Sequence, residues 1–436
     1  MADLLIVGNG FDLYHGLPTR YTDFLSFIRN WNIFWENYKN IESGEDEIPF
    51  SVRLSEYNEL IPETMIDFSS HFGHYKYENL EFINDHIDNS WIQYFLKRQL
   101  DGTNWIDFES EIYNVLRLVE EYYSEFIPEM SKRKDVPIKY IPRNMALVIS
   151  SFENKCPDGY EDLTRRTLDR HSLTTESIKE NKNLLLETMK NELDNLIKCL
   201  GYYLFEFVTS IRVEKYSEQI KELSFVNLLN FNYTYTYATV YGRAKLNQHH
   251  RIHGDCLEED MVLGIPDEVF PDTLDYIYFQ KYFQRIQKRT GNFYRAWISA
   301  PEPHMRTLDD VPINVYIMGH SLADSDQGIL KDIFLNDFIQ KITIYYHSQL
   351  AYEQQVINLI AMFGKDYVIE QTGKETSVYK GDKQDKIEMR GDRVEMSDFP
   401  LYLNTVAGGL DRRDQTIGGF SFVVKIYAVP VIEIIG

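Results

Sequence analysis

The hydrophobic pattern at the start of the chain predicts a strand, a sharp turn and a helix. Four consecutive apolar residues at positions 4–7 are typical of a short strand that is buried on both faces. Gly8 and Gly10 follow at once and predict a tight turn, because glycine has no Cβ atom to restrict the backbone. Thr19 then predicts a helix N-cap, since apolar residues recur at helical spacing from Tyr21 onward.

A strand that is followed by a glycine turn and a helix is typical of phosphate-binding sites. Backbone N–H groups and the helix dipole converge on an anion in such a turn. The dehydrogenase fingerprint is not met, because its third glycine would fall at Leu13 and no second strand ending in an acidic residue follows about 20 residues later. A tight turn that holds no ligand is therefore kept as the alternative interpretation.

The next part of the chain, residues 31–220, is predicted to form a large α-helical insertion. The segment 104–118 has apolar residues at helical spacing, with acidic residues between them. The longest helical pattern runs over 174–211, and its apolar positions alternate by three and four, which is typical of a helix that packs along a neighbour. We interpret this series as intramolecular core: Leu186, Met189, Leu193, Leu196 and Leu200.

From Leu223 onward the pattern changes to short apolar segments that each run into glycine, asparagine or histidine. Five such segments, FVNLLNFN, HRIHG, MVLGIP, NVYIMGHSL and KITIYYH, predict strands, and a helix that stops at Gly364 follows them. Because the first strand must pair with these later strands, the sequence predicts an α/β core made of residues 1–30 and 221–369. Residues 370–436 are predicted to form a small C-terminal β-rich appendage.

Composition and charge exclude several classes of protein. Of the 436 residues, 44% are hydrophobic and 14% aromatic, which is typical of a folded chain with an ample core. The formal net charge of -22 argues against general nucleic-acid binding and against binding to anionic membranes. Two local basic stretches, 132–134 and 281–289, are interpreted as solvated surface.

Cysteine usage and hydropathy predict a cytoplasmic protein. The three cysteines, Cys156, Cys199 and Cys256, are widely spaced and match neither a disulfide framework nor a zinc site. The chain starts with a core strand instead of a charged and then apolar leader. No run of roughly 18 apolar residues predicts a membrane span.

Four polar motifs are predicted to meet at one edge of the sheet, because parallel strands end there. They are GNGFDLYHGLPT (8–19), NFNYT (230–234), HRIHGD (250–255) and GHSLADSD (319–326). Each motif also has a structural interpretation: the asparagines cap a turn, His253 is a structural histidine, and Asp324 or Ser325 is the N-cap of the following helix. Metal ligation by His249 and His250 has no supporting ligand spacing.

The combination and order of these motifs resemble the bacteriophage abortive infection AbiH family. The shared patterns are Gly-Asn-Gly-Phe-Asp-Leu at 8–13, Asn-Phe-Asn-Tyr-Thr at 230–234, Ile-His-Gly at 252–254 and Gly-His-Ser-Leu at 319–322. The segment 105–109, Trp-Ile-Asp-Phe-Glu, also resembles the family's pattern, and the resemblance ends near Gly364. It implies an antiphage abortive-infection effector with a phage-derived trigger.

The AbiH pattern is in turn distantly similar to sirtuin-like NAD-binding domains of phage-defence proteins. That resemblance implies a Rossmann-like, sirtuin-like and mostly parallel sheet, with NAD as substrate or ligand. The sequence departs from the sirtuin pattern at Asp12, which replaces a serine, and at Thr19 and Tyr21, which replace an aspartate and an arginine. A four-cysteine zinc module is absent from the sequence, so protein deacylation is not expected.

By this resemblance the chain hydrolyses NAD at its N-glycosidic bond and releases nicotinamide. His253 would act as the base, Asn232 would orient the ribose or a water, and Asp12 or Glu109 would stabilise developing positive charge. The expected catalytic residues are His253, Asn232 and Asp12, and the expected nucleotide-binding residues are Gly8, Asn9, Gly10, Phe11, Gly16, Thr19, Asn230, Tyr233, Gly254, Gly319, His320 and Ser321.

Two alternatives stay open. The first is a metal-dependent nuclease or nucleotide-processing toxin that recruits Mg²⁺ through Asp12, Asp107, Glu109 and Asp255. The second is a non-catalytic nucleotide sensor that uses the same pocket to trigger the helical insertion. For the NAD-hydrolysing enzyme we expect a small-molecule nucleotide as partner, no metal cofactor and no membrane, and self-association is left open.

Overall fold

The computed structural model describes residues 3–43, 75–100, 107–132, 141–160, 174–217, 220–221, 223, 226–267, 269–299, 313–372 and 387–391. Within these ranges the chain forms an α/β fold around one parallel sheet, which confirms the predicted α/β class and the mostly parallel sheet. Its strands are β1 (Asp3–Val7), β2 (Val226–Asn230), β3 (Leu246–Arg251), β4 (Ile313–Met318), β5 (Ile339–Tyr346) and β6 (Ile387–Gly391).

Strand β1 lies in the middle of the sheet, whose order is β3-β2-β1-β4-β5-β6. It pairs with β2 on one side and with β4 on the other, in parallel register on both. Leu4, Leu5 and Ile6 are completely buried, as expected for a strand with both faces covered. The strand order therefore reverses beside β1, and the loops that follow β1 and β4 start at the same edge of the sheet.

The described chain between β1 and β2 is mostly helical, as predicted for residues 31–220 and for the helix at Tyr21, and it contains the following helices. They are α1 (Asn9–Tyr14), α2 (Tyr21–Arg29), α3 (Trp31–Ser43), α4 (Tyr77–His86), α5 (Ser90–Leu100), α6 (Phe108–Glu120), α7 (Ile127–Lys132), α8 (Arg143–Phe152) and α9 (Thr175–Tyr202). A π-helical turn, Glu121–Phe126, joins α6 to α7, and a second one, Tyr203–Val208, extends α9. The predicted series on α9, from Leu186 to Leu200, is buried in the core of this region.

The helices after β2 are shorter. They are α10 (Thr236–Tyr241), α11 (Lys281–Lys288), α12 (Tyr294–Ile298), α13 (Gln327–Phe334), α14 (Gln349–Phe363) and α15 (Lys365–Thr372). Gly364 follows α14 directly, as predicted. Across the described ranges, the helices are too short or too polar to cross a bilayer.

Two local predictions are wrong. Thr19 does not cap α2, because Arg20 occupies the N-cap and the Thr19 hydroxyl donates to Asn9 Oδ1 instead. The MVLGIP segment forms no regular strand and contributes one isolated bridge, from Ile265 to Gln280. Its apolar side chains pack into the core of the helical region, which explains why the segment is apolar without belonging to the sheet.

The predicted C-terminal appendage falls mostly outside the described residues. The strand β6 is the described part of the chain beyond Thr372, and it pairs with the edge of β5. Trp105 and Ile106 of the 105–109 motif also lie outside the described residues. The division into a sheet core, a helical insertion and an appendage stays a prediction.

Three glycines allow the loops after β1 and β4 to cross in direct backbone contact. The N–H of Gly8 donates to Met318 O at 3.1 Å, and the N–H of Gly10 donates to Gly319 O at 2.8 Å. A Cβ atom on Gly10 would lie 2.9 Å from Gly319 Cα, and one on Gly319 would collide with the backbone N of Phe11. Gly319 also has a φ of +67°, which side-chain-bearing residues rarely adopt.

The substitution Gly319→Ala should destabilise the protein by about 2–4 kcal/mol, because it adds a steric collision to left-handed backbone strain. Gly16→Ala is the matched control, since Gly16 has a φ of +81° but no atom within 4 Å of its would-be Cβ. The control should lose only about 1 kcal/mol. Urea unfolding measures both, and equal losses would contradict the crossing as the reason for glycine at 319.

Candidate functional site

The structure brings the four predicted motifs together at the carboxyl edge of the sheet. Asn232 Nδ2 donates to Gly8 O at 3.0 Å, which joins the second motif to the first. The ring of Phe231 contacts the rings of His253 and His320, with centroid separations of 5.4 and 4.4 Å. Segments that are more than 200 residues apart in the chain therefore meet there, as the strand ends predicted.

A cluster of buried ionisable side chains lies at this edge of the sheet. Lys281 Nζ lies 2.7 Å from Glu109 Oε1 and 3.0 Å from Asp326 Oδ1. Asp326 Oδ1 also lies 3.0 Å from His253 Nε2, and Asp326 Oδ2 lies 3.5 Å from His320 Nε2. Glu109, Lys281, Asp326, His253 and His320 are called the ion-paired cluster below.

Each member of the ion-paired cluster is placed by the end of a secondary-structure element. Glu109 is in the first turn of α6, where the Asp107 side chain accepts a hydrogen bond from the Glu109 N–H as N-cap. Lys281 is the first residue of α11. Asp326 is the N-cap residue of α13, but its carboxylate makes no capping bond and faces Lys281 instead. The site thus combines a helix of the 31–220 region with loops of the sheet.

Burial and ion pairing shift the pKa values of Glu109 and Asp326 in opposite directions. Burial raises the pKa of Glu109 to about 7, although the Lys281 ammonium opposes that rise. Burial acts in the same direction on Asp326, but there Lys281 and His253 outweigh it and hold the pKa of Asp326 well below its usual value. Asp326 is therefore the constant anion of the site, and Glu109 exchanges its proton near neutral pH.

The two nitrogen bases next to Asp326, Lys281 and His253, also differ in protonation. Burial opposes the charge of Lys281, but Asp326 and Glu109 outweigh burial and raise the pKa of Lys281. Burial and the neighbouring Lys281 lower the pKa of His253 to about 4, so its imidazole is neutral at physiological pH. The Nδ1 of His320 accepts a hydrogen bond from the Leu322 N–H, which leaves the Nε2–H of a neutral ring facing Asp326. A constant anion and a carboxyl that titrates near pH 7 are typical of acid–base active sites.

Asp12 has different partners. Its Oδ2 accepts a hydrogen bond from the Thr234 hydroxyl at 2.5 Å, and burial raises the pKa of Asp12 to about 6 against the opposing effects of Thr234, Thr236 and Asn232. Asn232 and Thr234 lie in the loop after β2 and Thr236 begins α10, so none of the three belongs to the ion-paired cluster. Asp12 therefore links α1 to the segment after β2, and its predicted catalytic role stays a prediction.

The asparagines of the NFNYT motif hold the ends of two strands in place. Asn230 Oδ1 accepts from the Asn232 N–H, and Asn230 Nδ2 donates to Thr234 O. This is the turn-capping arrangement that was the alternative for Asn230. Asn232 reaches across to Gly8 O, so its amide links β2 to β1. Its predicted contact with ribose or water stays a prediction.

The other residues predicted to bind a nucleotide differ in their surroundings, and nucleotide binding by each stays a prediction. The N–H groups of Gly8 and Gly10 are used in the loop crossing, and Tyr233 Oη donates to Val262 O at 2.7 Å. Phe11 is buried and packs on Tyr237. The remaining positions are exposed Asn9, Gly16 and Ser321, partly exposed Thr19, and Gly254 and Gly319 with positive φ.

Sequence reasoning missed two members of the ion-paired cluster. Lys281 was assigned to solvated surface, which is wrong, because it is 1% exposed. Its position among the basic residues of 281–289 gave no sign of burial. Asp326 belongs to the predicted GHSLADSD motif, but Asp324 or Ser325 was expected as N-cap, and Asp326 occupies that position. The alternation Asp324-Ser325-Asp326 offers three consecutive N-cap candidates, which made the choice ambiguous in sequence.

The carboxylates of the metal-dependent alternative do not converge. Asp107 caps α6, and Asp255 pairs with Arg251 at 2.8 Å, whereas Asp12 and Glu109 have the partners described above. Over the ranges that the structure describes, no group of three or more His, Cys, Asp or Glu side chains is arranged to hold a metal ion. The structure therefore offers no observation that favours this alternative.

Comparisons with known proteins give one match. A family model described as "Bacteriophage abortive infection AbiH" matches residues 4–347, a range that contains every residue of the ion-paired cluster. No curated protein and no solved structure matches the chain.

The substitution Lys281→Met should cost about 3–5 kcal/mol of unfolding free energy near neutral pH, because it leaves two buried carboxylates without a counter-charge. The deficit should shrink as the pH falls from about 7.5 to about 5.5, since the variant's carboxylates then take up protons in the folded state. Urea unfolding at the two pH values measures both effects.

Lys182→Met is the matched control. Lys182 also pairs with two carboxylates, Glu120 at 2.6 Å and Asp275 at 2.8 Å, but those carboxylates are 30% and 42% exposed. Water screens them, so the control should lose less than about 2 kcal/mol. A loss from Lys281→Met that is no larger, or that is independent of pH, would contradict the ion pairing assigned to the site.

Proposed function

The chain belongs to the bacteriophage abortive infection AbiH family, and we propose that it is an enzyme that hydrolyses NAD. Membership implies a function in phage abortive infection. In the proposed reaction, water attacks the ribose carbon that carries nicotinamide, and the C–N bond breaks with its electron pair leaving on nicotinamide. The products are nicotinamide, ADP-ribose and one proton.

The order of the strands supports a dinucleotide as the ligand class. The order 3-2-1-4-5-6 is that of the doubly wound Rossmann sheet, in which ligands bind outside the carboxyl ends of the strands where the order reverses. The ion-paired cluster lies at that edge, next to the loops after β1 and β4. We therefore also propose that the fold is Rossmann-like.

The observation that carries the proposal is the ion-paired cluster itself. Cleavage of an N-glycosidic bond passes through an oxocarbenium-like ribose, which a nearby anion stabilises. Asp326 is that anion, because its low pKa keeps it ionised at any physiological pH. Glu109 accepts the proton of the attacking water, because a base with a pKa of about 7 is half ionised at neutral pH and strong enough to act.

The cluster also reassigns two roles that were expected from the sequence. His253 was the expected base, but a pKa of about 4 makes its neutral ring a weak proton acceptor, so we assign it to holding Asp326. The charge-stabilising role expected of Asp12 passes to Asp326. Lys281 keeps Glu109 and Asp326 together, since two unpaired buried carboxylates would repel each other.

Purified protein that is incubated with NAD should release nicotinamide, measured by liquid chromatography. Glu109→Gln should lower kcat by at least about 100-fold, because the general base is lost. Glu111→Gln is the matched control on the same helix, since Glu111 pairs with Arg98 and lies outside the ion-paired cluster. Tight nucleotide binding without turnover would favour the sensor, and a strict divalent-metal requirement with intact NAD would favour the metal-dependent alternative.

The rate of NAD hydrolysis should depend on pH through Glu109. Because the base must be ionised, kcat/KM should rise as the pH increases through about 7 and level off above it. The residual activity of Glu109→Gln should lack this rise. A rate that falls through pH 7 would instead assign Glu109 as a proton donor and contradict the role proposed here.

A further inference from the structure

The proposed substrate raises the question of which group binds its phosphates. NAD carries an anionic pyrophosphate, whereas the chain has a formal net charge of -22. The N–H groups of Gly8 and Gly10 already donate to carbonyls of the loop after β4. Lys281 is buried between two carboxylates. Phosphate recognition therefore needs another cation at the same edge of the sheet.

Arg251 meets this need by its position. It is the last residue of β3 and so lies at the carboxyl end of a strand, two residues before His253 of the ion-paired cluster. Its side chain is 30% exposed, which leaves the guanidinium accessible to a ligand. Val262 donates its N–H to His253 O at 2.8 Å, which fixes the loop that follows Arg251.

The guanidinium of Arg251 is held by two contacts before any ligand arrives. Its Nη1 lies 2.8 Å from Asp255 Oδ2, and its Cζ lies 4.7 Å from the centre of the Tyr235 ring. Asp255 is itself fixed, because it is buried and its Oδ1 accepts from the N–H groups of Leu257 and Glu258. A side chain that is already ordered loses little conformational entropy when it binds an anion.

We propose that Arg251 binds a phosphate of the substrate, so that the enzyme prefers nicotinamide nucleotides to the phosphate-free nucleoside. This inference rests on the proposed function and adds its substrate class. A guanidinium has five N–H donors in a planar fork that matches phosphate oxygens, and the contact with Asp255 is made through one end of the fork. Asp255 and Tyr235 then act as positioning residues for Arg251.

The test compares two substrates that differ in phosphate, NAD and nicotinamide riboside. Arg251→Gln should raise the KM for NAD by at least about tenfold and leave kcat within about twofold. A roughly tenfold loss of affinity is what the removal of one hydrogen bond to a charged group is expected to cause. The same variant should hydrolyse nicotinamide riboside at the wild-type kcat/KM. Arg251→Lys keeps a charge beside Asp255, so it should fold normally and recover part of the affinity for NAD.

Arg243→Gln is the control for a general change in charge. Arg243 is exposed and precedes β3, so it lies near the amino end of the strand that Arg251 ends. It should leave the KM for NAD unchanged. An equal loss of kcat/KM on both substrates in Arg251→Gln, or an unchanged KM for NAD, would overturn the assignment of Arg251.

A separate binding measurement distinguishes a failure of this inference from a failure of the proposed function. If the wild type releases nicotinamide from neither NAD nor nicotinamide riboside, the proposed hydrolysis is overturned but the phosphate contact is not. Calorimetric titration with ADP-ribose then decides: binding that is at least about tenfold weaker in Arg251→Gln than in Arg243→Gln supports the inference. Equal binding, or no binding by the wild type, overturns it.

Discussion

The buried ammonium of Lys281 is the constraint on which the site depends. It pairs with Glu109 of α6 and with Asp326 at the N-cap of α13, and each carboxylate would be costly to bury without it. Because the three groups share one environment, a single cation keeps Asp326 ionised while Glu109 titrates near neutral pH. The same contact that stabilises the fold therefore also sets the protonation states available for chemistry.

The ion-paired cluster takes residues from both the helical region and the loops and helices around the sheet. His253 comes from the loop after β3, Lys281 from the first turn of α11 and Asp326 from the N-cap of α13. The second carboxylate comes from α6, in the region between β1 and β2. The crossing of the glycine turn with the loop after β4 fixes the sheet side of the site. Because Glu109 pairs with Lys281 from α6, the helical region contributes directly to the ion-paired cluster.

The sequence predicted the elements whose signals are local. Residues 4–7 form a strand buried on both faces, the apolar series of α9 is core, and the strand ends bring the polar motifs together. It did not predict Lys281 as a buried residue, because burial of a lysine depends on two carboxylates that lie 172 and 45 residues away. MVLGIP was assigned to the sheet for a similar reason: apolar composition records burial but not the neighbour that buries it.

The pKa of Glu109 tests the ion pairing most directly. It can be measured by carbon-13 NMR on protein with labelled glutamate carboxyls, and the Glu109 resonance is identified by its absence in Glu109→Gln. The account predicts that one carboxyl resonance titrates at about pH 7 and moves to higher pH in Lys281→Met, because the opposing ammonium is removed. A Glu109 carboxyl that titrates at its ordinary value, or that is unaffected by the loss of Lys281, would contradict it.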